Sequence, residues 1–396
     1  MSDRAYKPSR AMRLLLRLGE QLSIGTLTAE LPDGGVHRFG TAGTLPAAHI
    51  TVHRDRLARR FLMGGNLGFC EAYIDGDWSS PDVEALFTLF LVNRRALQRR
   101  MQGRLWFRAL GRVRHWLNAN TRSGSKRNII AHYDLGNRFF AEWLDPTMTY
   151  SSAVFDGTED LAAAQRRKYA RLADGLALAP DRHILEIGCG WGGFAEYAAA
   201  ERGAIVTGIT ISPAQYEFAR KRLFEAGLAE RADIRLLDYR DVDGQYDHIA
   251  SIEMFEAVGE AYWPAYFDTL RARLRPGGSA GLQIITIEDG LFDAYRRKPD
   301  YIQRYIFPGG MLPSPAALDR EVARAGLVTR AVAEFGEHYA RTLRDWNRRF
   351  QAAWPRLAGM GFDARFKRLW EQYLAYCAAG FQVGTINVRQ TILARG

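Results

Sequence analysis

The chain has 396 residues, 47% of them hydrophobic, with three cysteines and a formal net charge of +10. That length can bury at least one full core and suggests two domains. Cys70, Cys189 and Cys377 lie far apart and no Cys/His cluster has metal-site spacing, which argues against a disulfide scaffold and a zinc centre and for a reducing compartment. No stretch approaches the roughly 18 continuous apolar residues that cross a bilayer, so any membrane contact is expected to be peripheral.

In chain order, Leu14, Leu15, Leu16 and Leu18 are interrupted by Arg13 and Arg17 with no cleavage site following, a pattern that reads as a helix rather than a targeting signal. Residues up to about 120 alternate apolar patches with turns at Asp33-Gly34-Gly35 and Met63-Gly64-Gly65 and become helical from Val83, as expected of a small α+β domain. From Arg94 to Arg127 there are ten Arg, one Lys and no acid, so the rest of the chain is close to neutral. Within that segment Arg100, Arg104, Arg108 and Arg112 recur every four residues, with Trp106, Leu110, Val113 and Leu117 on another face, which predicts a basic amphipathic helix. Three uses fit such a helix: anionic lipid headgroups, packing between domains with a solvated arginine face, or nucleic acid. Asn118 to Lys126 has linker composition, which places a domain boundary near residue 120 and assigns 121–396 to a second domain.

From His183 the pattern becomes strand, glycine turn, helix, strand, with strands expected at His183–Ile187, Ala204–Ile209, Asp233–Leu237, His248–Ile252 and Ser279–Ile287. Helices expected at Pro213–Ala226 and Tyr262–Leu274 fill the gaps, and Tyr339–Phe381 is helical and rich in aromatics. The class is α/β, a doubly wound sheet.

The first of those strands runs Ile184-Leu185-Glu186-Ile187 into Gly188-Cys189-Gly190-Trp191-Gly192-Gly193. Without side chains at Gly188, Gly190 and Gly192, the backbone can approach a ligand at the carboxyl end of the strand. A nicotinamide site wants an acid about 20 positions on, but the second strand ends in Thr210-Ile211-Ser212-Pro213. Glu186 and Asp238 suit the cationic S-adenosylmethionine (SAM) better than a dinucleotide.

The residues also carry a family likeness. His132-Tyr133-Asp134-Leu135-Gly136-Asn137, Met148-Thr149-Tyr150-Ser151, the glycine loop, Thr210 to Gln215, Asp238-Tyr239-Arg240-Asp241, Met254-Phe255-Glu256 and Arg304 to Gly310 resemble the cyclopropane fatty acid synthases and mycolic acid cyclopropane synthases. The resemblance implies a seven-stranded SAM-methyltransferase domain, with an acyl-pocket insertion near 289–313. Residues 1–120 resemble the lipid-binding domain of the phospholipid-acting members. The resemblance further implies an unsaturated phospholipid acyl chain as substrate and a homodimer, while the basic strip makes an anionic membrane surface on the cytoplasmic side the expected place of work. Nucleic acid is not an expected partner, since no Asn-Pro-Pro-Tyr motif occurs.

By the same resemblance Tyr150, Ser151, Gly188, Gly190, Gly192, Thr210, Gln215 and Tyr239 line the SAM pocket. Ser152, Glu256, Gln283, Ile285 and Tyr339 hold a bicarbonate ion, the expected base for the carbocation that forms when an alkene takes a methyl group. Three positions depart from the family pattern: Ser152 for cysteine, Ala257 for a histidine and Gln283 for a bicarbonate-binding histidine. An amide donates a hydrogen bond but carries no proton or charge, so two further outcomes stand beside cyclopropanation. One is methylation without ring closure, and the other is a lipid binder that has lost catalysis.

Overall fold

The structure, a computed structural model, describes residues 7–97, 135–157 and 160–395. The basic strip beyond residue 97, the linker and the first three residues of the His132–Asn137 motif lie outside the described residues.

The chain divides into two compact units: Met1–Gly124 with Asp300–Ile302 and Trp354–Val383, and Ser125–Pro299 with Gln303–Ala353 and Gly384–Gly396. This differs from a single cut near residue 120, because helix Ala364–Gln382 belongs to the first unit. Its buried Trp370, Tyr373, Leu374 and Ala378 need an apolar partner, and Tyr73 donates to its Glu371 at 3.1 Å.

In the first unit, β1 (Thr26–Glu30) pairs antiparallel with β2 (Val36–Gly40) and parallel with β3 (Ala47–Val52). With β4 (Trp78–Ser79) these make a four-stranded sheet. The Asp33-Gly34-Gly35 turn joins β1 to β2, with Gly34 left-handed at φ 80°. Gly64-Gly65 instead separates two helices, Arg56–Gly64 and Asn66–Ile74. The N-terminal leucines lie on helix Arg10–Gly19, and Val83–Val92 is a helix capped by Asp82.

The second unit holds a seven-stranded sheet. Its central strands are β5 (His183–Ile187), β6 (Ile205–Thr210), β7 (Ala232–Leu236), β8 (Tyr246–Ile252) and β9 (Leu274–Ile287). Two more, β10 (Leu327–Glu334) and β11 (Ile386–Arg395), complete the order β10-β11-β9-β8-β5-β6-β7. β5 to β9 run parallel, and β11 is antiparallel to both neighbours. Alternate side chains enter opposite faces. Leu185, Ile187 and Ile249 join a core with Tyr266, Phe267 and Leu270 of helix Trp263–Arg273. Ile184 and Ala250 join another with Leu172, Phe194 and Leu223 from helices Leu161–Gly175, Gly193–Arg202 and Pro213–Glu225. Helices thus cover both faces, as parallel strands require. The winding reverses at β5, with β6 on one side and β8 on the other, and a crevice for a ligand is expected there. No described helix is long and apolar enough to cross a membrane.

Candidate active site

The loop after β5 has Gly188, Gly190 and Gly192 at φ 81°, 53° and 80°. Their surroundings differ. A Cβ on Gly188 would meet Met254 at 2.6 Å and one on Gly192 would meet Ala219 at 3.1 Å, whereas one on Gly190 would meet nothing within 4 Å. Gly188 therefore serves close packing, and Gly190 borders the open side where a ligand can approach. Cys189 packs beneath the loop, 4% exposed.

Beside this loop, Glu186 is buried on β5, and burial pushes it up to about 8 while Lys168 opposes that rise. One of its oxygens has no hydrogen-bond partner. A buried acid with a spare oxygen and an open-sided Gly190 fit a cationic ligand such as SAM. Thr210 donates to Gln215 Oε1 at 2.9 Å at the end of β6, where Ser212 caps the helix that Pro213 starts. Asp238 is tied to Arg240, Oδ1 to Nε at 2.8 Å and Oδ2 to Nη2 at 2.6 Å, and Tyr239 is half-buried against Tyr266. Ser151 is buried and accepts from Lys168 Nζ at 2.7 Å. Tyr150 packs among Phe140, Trp143, Trp346 and Phe307, with ring centroids 5.1 to 6.5 Å away.

Around the ends of β8 and β9 the expected bicarbonate ligands are arranged differently from the sequence expectation. Ser152 N, Gln283 Nε2 and Tyr339 Oη all donate to the carboxylate of Glu253, at 2.8, 2.7 and 2.5 Å. The fifth expected ligand, Ile285, donates its N–H to Glu256 Oε1 at 2.6 Å, and Glu256 Oε2 has no partner. The donors assigned to a small oxyanion are thus engaged by two carboxylates of the chain itself, and bicarbonate does not fit this arrangement. Ser152 takes part through its backbone, since its hydroxyl donates to Ala153 O.

Glu253 is the group that sequence reasoning missed. A signal was present: it is an acid directly after an apolar strand, the same argument that singled out Glu256 three residues later. It sits at φ 51°, a left-handed conformation uncommon for a residue with a side chain. Buried Lys168 was also missed, and it carries no sequence pattern that marks it. Burial pushes Lys168 down to about 8, against the attraction of Glu253, Asp145 and Glu186.

The two carboxylates occupy different electrostatic settings. Burial raises Glu253, while the hydroxyl of Tyr339, the amide of Gln283, the N–H of Ser152 and the charge of Lys168 pull it back. Burial and then the neighbouring Glu253 charge push Glu256 up to about 8, with only backbone N–H groups opposing. One ionised and one neutral carboxyl is the arrangement that such a pair favours near neutral pH.

Helix Gly336–Gly359 supplies one wall. Tyr339, Thr342 and Trp346 share a face of it, and Thr342 Oγ1 and His338 Nδ1 accept from the N–H groups of Ala153 and Phe155. Glu201, by contrast, pairs with exposed Arg166 and takes no part in the carboxylate cluster. Among the described residues no group of three His, Cys, Asp or Glu is placed to hold a metal ion.

Residues 120–391 match the family model described as mycolic acid cyclopropane synthetase. The chain belongs to that family. Its relatives include the tuberculostearic acid methyltransferase UfaA1 of Mycobacterium tuberculosis, 43% identical over 88% of this chain and 84% of that protein. The cyclopropane-fatty-acyl-phospholipid synthase of Escherichia coli is 35% identical over 89% of each chain. Among solved structures, the mycolic acid cyclopropane synthase CmaA1 complexed with SAH and CTAB superposes with a TM-score of 0.64 at 29% identity, covering 68% of this chain and 97% of that one. As a member of the mycolic acid cyclopropane synthetase family, the protein is a SAM-dependent C-methyltransferase of lipid modification, and SAM is its cofactor.

Proposed function

We propose that this enzyme transfers a methyl group from SAM to a double bond of an unsaturated fatty acyl chain carried by membrane phospholipid. The observation that carries the reading is the carboxylate pair Glu253 and Glu256 beside the glycine loop, joined through Met254, which packs on Gly188. Tyr339 and Trp346 of one helix and Tyr150 form the adjoining aromatic wall.

SAM, when bound, supplies an electrophilic methyl group. Gly190 leaves room for it, and buried Glu186 offers an acceptor to its cationic groups. An alkene that takes up the methyl becomes a carbocation, which an aromatic face such as that of half-buried Tyr150 stabilises through its quadrupole. A carboxylate at the end of β8 then receives a proton. The phospholipid substrate is supported by the Escherichia coli relative, whose name states that acceptor and which matches 89% of this chain. Contact with the membrane surface is supported by the charge of the Arg94–Arg127 segment.

Two observations favour a second reading, methylation without ring closure. Gln283 presents an amide to Glu253 where the family pattern has an ionisable imidazole. The relative at 43% identity is named as a methyltransferase rather than a cyclopropane synthase. Both readings require S-adenosylhomocysteine to be released from purified enzyme supplied with SAM and vesicles of unsaturated phosphatidylglycerol. Saturated vesicles are expected to give none, and equal release from both would contradict the assignment.

A further inference from the structure

We propose that the side chain of Glu253 fills the oxyanion site of this enzyme, so that the base is part of the chain and no bicarbonate is recruited. The inference rests on the methyl-transfer reading above and names the proton acceptor within it.

Three donors of different kinds converge on one carboxylate: the backbone N–H of Ser152, the Gln283 amide and the Tyr339 hydroxyl, all at 2.5 to 2.8 Å. A carboxylate and a bicarbonate present the same pair of oxygens, so a donor set that satisfies one cannot hold the other at the same time. Glu253 is held in place on the backbone side as well, because its N–H donates to Gln283 O at 2.7 Å. It keeps φ 51°, a conformation that costs free energy for any residue with a Cβ and that persists where surrounding contacts enforce it. Glu253 is half-buried at the carboxyl end of β8, and the next residue, Met254, lies against the cofactor loop at Gly188.

In the reaction, the alkene π pair forms the new carbon–carbon bond to the incoming methyl carbon, and the pair of the old carbon–sulfur bond stays on sulfur. A C–H bond of the resulting cation then breaks. Its electron pair closes a three-membered ring or a new double bond, and the proton goes to a Glu253 oxygen. Nothing beyond SAM and the acyl chain is consumed.

The test measures turnover on unsaturated vesicles in carbonate-free and bicarbonate-supplemented buffer, and binding of ¹³C-bicarbonate by NMR. Wild type is expected to turn over equally in both buffers and to show no bound bicarbonate. Glu253→Gln is expected to lose about a hundredfold or more in turnover, the usual contribution of a general base, with wild-type affinity for S-adenosylhomocysteine as the check on folding. Glu253→Gly relieves the left-handed strain and vacates the cradle, so it is expected to bind ¹³C-bicarbonate saturably and to regain turnover with bicarbonate or formate. Wild-type turnover that depends on bicarbonate, or bicarbonate bound by the wild type, would overturn the proposal without need of any variant. Should no unsaturated lipid be turned over, the methyl-transfer reading fails by itself, while the NMR titration still decides what fills the cradle.

Discussion

Gln390 donates to Gln283 Oε1 at 2.9 Å, which leaves the Gln283 amide nitrogen to face Glu253 at 2.7 Å. An amide on its own can present either end, so the orientation of Gln283 is set from β11. Gln390 is accordingly a positioning residue. Replacing it with Leu removes one net hydrogen bond of about 0.5–1.5 kcal/mol and is expected to lower kcat roughly three- to tenfold with S-adenosylhomocysteine affinity unchanged. Gln390→Glu, which cannot donate when ionised, is expected to turn the oxygen of Gln283 toward Glu253 and to cost more than the Leu change. A Glu variant as active as wild type would contradict this relay.

The charge of Lys168 favours the ionised form of Glu253. Lys168→Met withdraws that support, so the Glu253 carboxyl is expected to rise further and the acid limb of the pH–rate profile to move to higher pH. Activity at acid pH falls first, and at alkaline pH the two enzymes converge. The profile of kcat/KM for both proteins is the check, and a Met variant whose acid limb stays in place would separate Lys168 from Glu253.

Much of this was legible in the sequence. The strands β5 to β9 were marked by short apolar runs, the first of them ending in the glycine loop, and the expected starts and ends of β5, β6, β7 and β8 fall within two residues of those observed. The edge pair was harder to read. Most of β10 is exposed after Leu327, so it shows no buried face, and β11 carries buried polar Arg389, Gln390 and Thr391 where a core strand would be apolar. Of these, Gln390 belongs to the side-chain network behind Glu253 and Arg389 pairs with Asp319, which no periodicity reveals. Likewise, one sequence shows two acids after β8 but not which of them the donors approach. The grouping of Ala364–Gln382 with the first unit needed its packing partners, since a buried aromatic helix reads the same in either domain.

Glu256 bears on stability rather than on proton abstraction in this account. Its folded value of about 8 lies above the ordinary 4.5, so between those values the folded state binds more protons than the unfolded one and stability falls as pH rises. Glu256→Gln removes the titration while keeping an oxygen for Ile285 N–H. Chemical denaturation of the variant from pH 5 to pH 8, about the span of the shift, is expected to show a flatter decline than wild type. Parallel slopes would contradict a neutral Glu256.

Exchange of Arg100, Arg104, Arg108 and Arg112 for Gln is expected to weaken binding to vesicles containing phosphatidylglycerol by roughly two to three orders of magnitude, at about 1 kcal/mol per basic residue near the surface, and to make the remainder less salt-dependent. Flotation at two salt concentrations measures both. Unchanged binding would assign the strip to packing instead.

Methyl transfer to unsaturated acyl chains is read out by mass spectrometry of the fatty acids from a host that lacks its own cyclopropane synthase, before and after expression of this chain. A monounsaturated acyl chain is expected to gain the mass of one CH2 group, and Glu253→Gln is expected to abolish the gain. Olefin-sensitive derivatisation then distinguishes a ring from a methylated olefin. An unaltered fatty acid profile with the protein folded and loaded with SAM would contradict methyl transfer to unsaturated acyl chains.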